Sequence, residues 1–204
     1  MTIKNVVFDI GNVIVRWDPQ LIVERTFGAD RTNADLVQSI FPGKDVWLPL
    51  NKGEISAEHA MQRYQDQLGF SESETDNLWH NVLGTMDLIS GTIALMDELK
   101  ENGYRLFALS DNVHEIVVYL KSEYDFWSHF EGVVISAEVA LLKPDPQIYT
   151  HLLDQFNLKA EETVFMDDMP KNVDGAQSVG MAAIQFSTVA EAKRELVNLG
   201  LTAS

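Results

Sequence analysis

The sequence contains no cysteine. Disulfide bonds, thiolate metal ligands, cysteine nucleophiles and iron–sulfur clusters are therefore excluded, because each of them requires a thiol. A chain without cysteine suits a reducing compartment, where disulfides contribute little to stability. We therefore expect a cytoplasmic protein.

Basic residues and long apolar runs are also scarce. The chain carries 15 lysines and arginines against 31 aspartates and glutamates, which gives a formal net charge of -16. Long-range repulsion opposes association with polyanions, so we expect neither nucleic acid nor membrane as a partner. No apolar stretch approaches the roughly 20 residues of a membrane span, and the N-terminus lacks the pattern of an export signal. A small anionic substrate remains compatible with this charge if a nearby cation offsets the field.

What the sequence does contain is a series of short apolar runs. They cover residues 6–8, 106–109, 133–135 and 164–166, with a fifth at residues 182–186. Runs of this kind are typical of strands buried on both faces of a parallel sheet. From about residue 90 onward they alternate with helical patterns of apolar residues at three- and four-residue spacing. The alternation predicts a doubly wound α/β sheet, whose binding sites lie at the carboxyl ends of the strands.

Residues 17–84 interrupt this alternation and predict four consecutive helices. The second is expected to end at Pro42-Gly43, and Ser71 with Glu74 forms a capping box before the fourth. The pattern therefore predicts an all-helical domain at residues 17–84. It is expected to be inserted into a core formed by residues 1–16 and 85–204.

Polar residues follow the predicted strands in four clusters. These are Asp9-Ile10-Gly11-Asn12, Ser110-Asp111-Asn112, Lys143-Pro144-Asp145 and Asp167-Asp168. Each cluster alone has an ordinary interpretation, as a turn, a helix cap or a solvated surface charge. Together they lie at one edge of the predicted sheet, where a lysine can neutralise carboxylates and adjacent aspartates favour a magnesium ion. The sequence therefore predicts an anion-and-metal site.

With these motifs in order, the sequence resembles the haloacid dehalogenase-like (HAD) hydrolase superfamily, in the branch with a helical cap inserted after the first motif. The resemblance covers nearly the whole chain and implies a Rossmann-like core. It implies that Asp9 is the nucleophile and becomes a phosphoaspartate. It also implies that Ser110 and Lys143 bind the phosphoryl group during transfer.

The same resemblance implies a magnesium ion and a phosphate-binding site. The ion is expected to be held by Asp9, the carbonyl oxygen of Gly11 and Asp168, with Asp167 beside it as a ligand or through water. Phosphoryl transfer depends on in-line positioning and on cations that balance oxygen charge, which agrees with this set. The further residues expected to bind substrate are Gly11, Asn12, Asp111 and Asn112. Asn112 and Asn172 are expected to support the loops by hydrogen bonding.

Gly11 departs from the pattern of the superfamily's phosphatases. They usually carry a second aspartate at this place, which protonates the leaving group and later activates water. Glycine has no proton to give, and the amide of Asn12 cannot act as a general acid. We therefore expect a leaving group that needs little protonation, such as that of an anomeric sugar phosphate. The Asp-x-Gly-Asn-Val motif also resembles that of bacterial α-glucose-1-phosphate phosphatases.

Two other functions follow from the missing acid. Metal-independent 2-haloacid dehalogenases of the same superfamily also lack the second aspartate, but they place an aromatic residue there, and this chain keeps both Asp167 and Asp168. A binding or regulatory protein with low turnover is the other alternative. For a phosphatase, the expected partner is a small phosphorylated metabolite. The sequence leaves the oligomeric state open between monomer and dimer.

The predicted insertion offers candidates for substrate selection. A loop with Lys52, Gly53 and Glu54 is expected to cover the site and select the leaving group, although charged loop residues are more often simply exposed. Trp17 and Trp47 are candidates for the entrance, against the commoner role of aromatic residues in packing.

Two residues of the insertion are candidates for the missing acid. Asp18 precedes Pro19, so an N-cap role explains it better than catalysis. His59 lies in the first turn of a predicted helix, and no histidine in the chain shows metal-ligand spacing. Neither is therefore expected to act as an acid.

Overall fold

The computed structural model describes residues 2–41 and 43–202 and has a parallel sheet at its centre. The strands are β1 (Asn5–Phe8), β2 (Arg105–Ser110), β3 (Gly132–Ile135), β4 (Thr163–Asp167) and β5 (Ala182–Gln185). Their spatial order is β3-β2-β1-β4-β5, with every neighbouring pair parallel. All five predicted strands are confirmed, and β1 lies in the middle of the sheet.

Strand β1 is buried on both faces. Val7 packs with Phe107 and Phe165 in an apolar cluster on one side of the sheet, whereas Val6 and Phe8 belong to a larger cluster on the other. None of the three β1 residues has exposed surface. Successive side chains of a strand point to opposite faces, so an uninterrupted apolar run fits a strand covered on both sides. This pattern places the next residue, an aspartate, at the carboxyl end of the central strand.

Between β1 and β2 the chain forms a helical insertion, which we define as residues 17–84. Its helices are α1 (Pro19–Phe27), α2 (Ala34–Ile40), α3 (Trp47–Asn51), α4 (Ala57–Leu68) and α5 (Glu72–Gly84). The four predicted helices are present, and α3 is an additional short helix that the sequence pattern did not predict. The capping box of Ser71 and Glu74 is confirmed. Pro42, in the predicted end of the second helix, lies outside the described residues.

Within the described residues, six further α-helices flank the sheet, and at least one follows each strand from β2 onward. They are α6 (Thr92–Glu101), α7 (His114–Glu123), α8 (Ser136–Val139), α9 (Pro146–Gln155), α10 (Pro170–Ser178) and α11 (Val189–Asn198). The predicted doubly wound α/β fold is thereby confirmed. Among the helices that the structure describes, none combines the length and apolar character needed to cross a bilayer.

The two chain segments that connect the insertion to the sheet run side by side. The backbone N–H of Arg16 donates to the carbonyl oxygen of Asp87, and that of Ile89 donates to the carbonyl oxygen of Ile14, both at 2.8 Å. These bonds tie the outgoing and returning segments together. They fix the base of the insertion beside the carboxyl end of β1.

Candidate active site

Asp9 follows β1 directly and is nearly enclosed, with 7% of its surface exposed. Its Oδ1 accepts hydrogen bonds from the backbone N–H of Ile10 at 2.7 Å and from Lys143 Nζ at 2.8 Å. Burial raises the pKa of Asp9 above its usual range, and the Lys143 ammonium opposes that shift. Oδ2 has no hydrogen-bond partner within the described residues. One carboxylate oxygen is therefore held in place while the other remains free for a ligand.

Lys143 is a buried cation and not the exposed surface lysine that its cluster alone would suggest. Its Nζ lies 2.6 Å from Asp167 Oδ2, and it also donates to the carbonyl oxygen of Leu109 at 3.3 Å. Burial alone would lower the pKa of Lys143, but the Asp9 and Asp167 carboxylates raise it above its usual range. With Asp9 as the third acceptor, the ammonium is a fixed positive charge.

Asp167 has no exposed surface, and both its oxygens are already bonded. Oδ1 accepts from the backbone N–H of Met169 and from Asn172 Nδ2, while Oδ2 accepts from Lys143 and from the same Asn172 amide. These four bonds leave the carboxylate without a free acceptor site. In contrast, Asn172 Oδ1 is buried and has no partner among the described residues. It is an acceptor that a bound water or ligand could satisfy.

Asp168 stands at the edge of the site and is connected to the insertion by Asn12. Asn12 Nδ2 donates to Asp168 Oδ2 at 3.1 Å, and Asn12 Oδ1 accepts from the backbone N–H of Trp17 at 2.9 Å. Asn12 adopts a positive φ of 54°, a conformation that asparagine tolerates better than most residues. Asn12, predicted to bind substrate, thus couples an acidic residue of the core to the start of the insertion.

The acidic residues fit a divalent cation. Carboxylate oxygens of Asp9, Asp167 and Asp168 lie within 4.8 Å of one another, and Lys143 supplies the positive charge among them. Three carboxylates and one ammonium leave an excess of negative charge in a largely buried site, which a divalent ion offsets. The carbonyl oxygen of Gly11 accepts no hydrogen bond within the described chain. The free oxygens of Asp9, Gly11 and Asp168 are thus hard ligands of the kind that magnesium prefers.

Ser110 ends β2 with a hydroxyl that has no hydrogen-bond partner among the described residues. It does not cap the following helix, because α7 begins at His114 and its N-cap Val113 makes no side-chain bond. Asp111 Oδ1 accepts the backbone N–H of Lys143 at 3.1 Å, which ties the two loops together. Burial raises the pKa of Asp111. The free Ser110 hydroxyl is therefore available to a ligand.

Sequence reasoning missed Ser136, a buried residue directly after β3. Its Oγ accepts the backbone N–H of Asn112 at 2.9 Å and lies 2.6 Å from the carbonyl oxygen of Asn51, to which it donates. One hydroxyl thus joins the loop after β2 to the end of α3. A serine after an apolar run is common, so only the tertiary structure distinguishes this one.

A cavity of about 290 Å³ lies between the strand ends and the helical insertion. The sequence-predicted residues that line it are Asp9, Gly11, Asn12, Ser110, Asp111, Asn112, Lys143, Asp168 and Asn172. The structure therefore brings the four clusters to one place. Asp167 is not among the lining residues, since it lies behind Lys143 with no exposed surface.

The insertion contributes other residues to this cavity than the loop predicted from the sequence. Lys52, Gly53 and Glu54 do not line it, and Lys52 forms an ion pair with Glu54 at 3.9 Å. Trp17 and Trp47, predicted as candidates for the entrance, do line it. The difference arises because α3 folds at residues 47–51 and presents its own side chains, which leaves the following loop further out.

The two candidates for a replacement acid also lie elsewhere. Asp18 accepts the backbone N–H of Leu21 and caps α1, and His59 is exposed in the first turn of α4. Neither residue lines the cavity. The structural roles expected for both are confirmed.

Gly53 makes a close contact with the core and not with the cavity. It has a φ of +67°, and a Cβ atom there would lie 2.2 Å from the carbonyl oxygen of Ala137. Gly53→Ala is expected to lower the free energy of unfolding by about 3 kcal/mol, as the sum of left-handed strain and overpacking. Gly69 has a similar φ of +70° with nothing within 4 Å, so Gly69→Ala isolates the strain and should cost about 1 kcal/mol. Urea titration measures both, and equal losses would contradict the packing argument.

A family model described as a haloacid dehalogenase-like hydrolase matches residues 3–180 of this chain. The chain belongs to this family. The predicted family is therefore confirmed. In this HAD hydrolase the motifs occupy the positions just described, at the carboxyl ends of β1, β2 and β4 and in the loop before α9.

Two curated proteins and one solved structure are similar to this HAD hydrolase. Sesquiterpene phosphatase astK of Aspergillus oryzae is 28% identical over 186 residues, which are 91% of this chain and 91% of the relative. D-ribitol-5-phosphate phosphatase of Bacteroides thetaiotaomicron is 25% identical over 203 residues, which are 95% and 97% of the two chains. A crystal structure of HAD family enzyme BT-2542 from the same bacterium, a complex with magnesium and inorganic phosphate, aligns with a TM-score of 0.77 at 20% identity, covering 92% and 96%. At that identity the structural likeness shows the fold alone.

Proposed function

We propose that this protein is a magnesium-dependent phosphatase that hydrolyses a small phosphate monoester through a phosphoaspartate. The observation that carries the proposal is the arrangement around Lys143. This buried ammonium holds Oδ1 of Asp9 and leaves Oδ2 free, while the free hydroxyl of Ser110 lines the same cavity. A carboxylate nucleophile, a fixed cation and a hydroxyl donor are what phosphoryl transfer to a protein requires.

In the first step an oxygen of Asp9 attacks phosphorus, and the P–O bond to the leaving group breaks with its electron pair moving to the leaving oxygen, which takes a proton from solvent. The Ser110 hydroxyl and Lys143 hold the phosphoryl oxygens. The longest Lys143 hydrogen bond, to the carbonyl oxygen of Leu109 at 3.3 Å, is the one most easily exchanged for such an oxygen. Water then attacks the phosphorus of the phosphoaspartate, loses a proton to solvent, and releases inorganic phosphate and the Asp9 carboxylate.

Asp9, the Gly11 carbonyl oxygen and Asp168 would hold the magnesium ion. The ion would supply positive charge that balances the phosphoryl oxygens. Asp167 serves Lys143 instead, because all its acceptor sites are bonded to Lys143, Asn172 and the backbone of Met169. We therefore assign Asp167 as a positioning residue for the lysine.

Magnesium binding predicts a stability change that needs no activity assay. At about ten times its dissociation constant, magnesium is expected to stabilise the native protein by about 1.4 kcal/mol, which raises the unfolding midpoint by about 3 to 6 °C. Asp168→Asn should abolish this shift, whereas Asp174→Asn, an exposed aspartate of α10, should retain it. Differential scanning fluorimetry with and without excess EDTA measures the midpoints. An Asp168→Asn protein that keeps the full shift would rule out this ligand set.

We propose that the helical insertion, residues 17–84, acts as a cap domain over a core of residues 1–16 and 85–204. The insertion carries Trp17, Trp47, Leu48 and Asn51 on the cavity wall, opposite the nucleophile and lysine. Exclusion of water by a cap strengthens the electrostatic interactions inside a phosphoryl-transfer site. The hydrogen bonds of Ser136 and Asn12 to the insertion support this closed arrangement.

The substrate class has two candidates. The missing acid at Gly11 favours a leaving group of low basicity, such as an anomeric sugar phosphate, and the relationship to D-ribitol-5-phosphate phosphatase also supports a sugar-derived substrate. The relationship to sesquiterpene phosphatase astK supports an apolar one. A screen of phosphorylated metabolites with and without magnesium tests the function. Release of phosphate from none of them at millimolar concentration would end the phosphatase proposal.

The dehalogenase alternative makes the opposite prediction about metal dependence, in an assay of halide release. A metal-independent dehalogenase would release halide from a 2-haloacid at an undiminished rate in excess EDTA. The excess negative charge of the Asp9, Asp167 and Asp168 group supports the metal-dependent function instead. Undetectable phosphoaspartate across the whole panel would favour the low-turnover binding protein.

A further inference from the structure

We infer that the phosphatase proposed above selects phosphate monoesters whose leaving group is apolar. The inference rests on the proposed function and concerns the apolar part of the cavity lining. We call this part the leaving-group chamber and define it by Trp17, Trp47, Leu48, Met86, Ile116 and Met169. With this lining, the site prefers an organic phosphate with a hydrocarbon skeleton to one with a polyhydroxylated skeleton.

The insertion side of the chamber is mostly apolar. The Trp17 and Trp47 rings stack with centroids 5.4 Å apart and an angle of 16°, and the ring of Phe41 meets both edge-on. These contacts fix the aromatic wall as one packed unit. Asn51 adds a polar side chain, but its Nδ2 donates to the carbonyl oxygen of Trp47 at 2.8 Å within its own helix. The polar atoms left on this side are the indole N–H groups of Trp17 and Trp47, which can only donate, and Asn51 Oδ1, which can only accept. They are few for a substrate that carries several hydroxyl groups.

The core side of the chamber is also mostly apolar. Met86, Ile116 and Met169 contribute apolar side chains, and the methionines can adjust their shape to a ligand. Arg16 and Lys171 also line the cavity, yet both are exposed, so water competes for their donors. A sugar in this chamber would lose water around its hydroxyl groups without gaining equivalent bonds from the protein.

Two exposed apolar side chains stand among the lining residues of the cavity. Leu48 of the insertion is 37% exposed and Met169 of the core is 43% exposed, one on each side of the cavity. A hydrocarbon skeleton that extends from the chamber would cover both. A small cavity flanked by exposed apolar surface suits a substrate whose phosphate lies at the strand ends and whose tail lies between core and insertion.

The experiment separates the polarity of the leaving group from its basicity. Four substrates form a two-by-two set: 1-naphthyl phosphate (apolar, weakly basic), geranyl phosphate (apolar, strongly basic), glucose 1-phosphate (polar, weakly basic) and ribitol 5-phosphate (polar, strongly basic). The two primary alkyl esters have leaving oxygens of similar basicity, so we expect kcat/KM for geranyl phosphate to exceed that for ribitol 5-phosphate by about tenfold or more, since single methylene groups in apolar pockets already discriminate by such factors. Comparison of kcat/KM for 1-naphthyl phosphate and geranyl phosphate then distinguishes an aryl from an isoprenoid substrate.

A pair of variants tests whether the chamber causes the preference. Leu48→Glu places a charge at the exposed chamber wall and is expected to lower kcat/KM for the apolar esters about tenfold more than for the polar ones, because repulsion of the phosphate is common to all four. Val118→Glu, on α7, makes the same change at a residue that is 68% exposed and outside the cavity, and should leave all four values unchanged.

Different outcomes would contradict the apolar preference, the role of the chamber or the proposed function. Equal or higher kcat/KM for the polar esters would overturn the apolar preference and leave the phosphatase intact. An apolar preference that Leu48→Glu does not reduce would overturn the assignment of the chamber. Absence of phosphate release from all four esters, and from the wider metabolite screen, would overturn the proposed function and the inference with it.

Discussion

Replacement of Asp9 by asparagine is expected to reduce phosphate release by at least about 10³-fold, because an amide cannot form the phosphoaspartate. The fold should survive this change. Asparagine keeps an Oδ1 that can accept from the Ile10 N–H and from Lys143, the two bonds that hold the aspartate. The loss should therefore appear in kcat while the unfolding midpoint changes little. Single-turnover reactions quenched in acid, followed by mass spectrometry, should detect a phosphorylated wild-type protein and an unmodified variant.

Asp18→Asn is the matched control for this experiment. It also converts an aspartate close to the site, but Asp18 only caps α1, and asparagine is an equally good cap. Phosphate release by this control should match that of the wild type. If Asp9→Asn kept a tenth or more of the wild-type rate, Asp9 could not be the nucleophile, and another function for the buried Lys143 group would have to be found.

The strand ends could be predicted from the sequence because their signals are local. An apolar run between two polar segments marks a buried strand, as at residues 6–8, and the next polar residue must then emerge at the edge of the sheet. Parallel strands share that edge, so Asp9, Ser110 and Asp168 had to lie close together. The structure places all three on one cavity. The edge at which the site lies thus follows from local signals, whereas the pairing of β1 with β2 and β4 that brings the three residues together is long-range.

Helix α3 could not be predicted in the same way. It spans five residues, Trp47–Asn51, includes Pro49, and follows Val46, which provides no side-chain cap. A segment of this length shows no periodicity, and its stability comes from packing of Trp47 against Trp17 and Phe41. The lining of the chamber depends on this helix. The sequence therefore predicted the residues around the nucleophile better than the residues around the leaving group.

The partners of Lys143 were also beyond local reasoning. The sequence placed the lysine near carboxylates and put both Asp167 and Asp168 at the metal, but it did not indicate which of these adjacent residues holds the lysine. The structure separates them by their bonds: Asp167 holds Lys143 and Asn172, whereas Asp168 faces the cavity and accepts from Asn12. Alternation along the end of a strand turns neighbouring side chains to different sides. Asp167 and Asp168 therefore have different proposed roles.

The absence of an acid at Gly11 predicts a leaving group of low basicity, and the structure has room for a side chain at this position. Its φ is not in the left-handed region, and a Cβ atom would meet its nearest neighbour, the Cβ of Trp17, at 3.8 Å, an ordinary van der Waals distance. Gly11 also lines the cavity. An aspartate at this position should therefore fold without strain and supply the proton donor that the superfamily's phosphatases usually carry there.

Gly11→Asp is accordingly expected to raise kcat for geranyl phosphate and ribitol 5-phosphate by about 10²-fold, because a general acid contributes about 10² to 10⁴ where the leaving oxygen is strongly basic. The rates for 1-naphthyl phosphate and glucose 1-phosphate should change much less. Gly11→Asn is the matched control, since its side chain has nearly the same size and no acidic proton. A plot of log kcat against leaving-group pKa should be shallower for Gly11→Asp alone. If both variants changed the slope equally, the effect would come from volume near Trp17, and the missing acid would not explain the substrate preference.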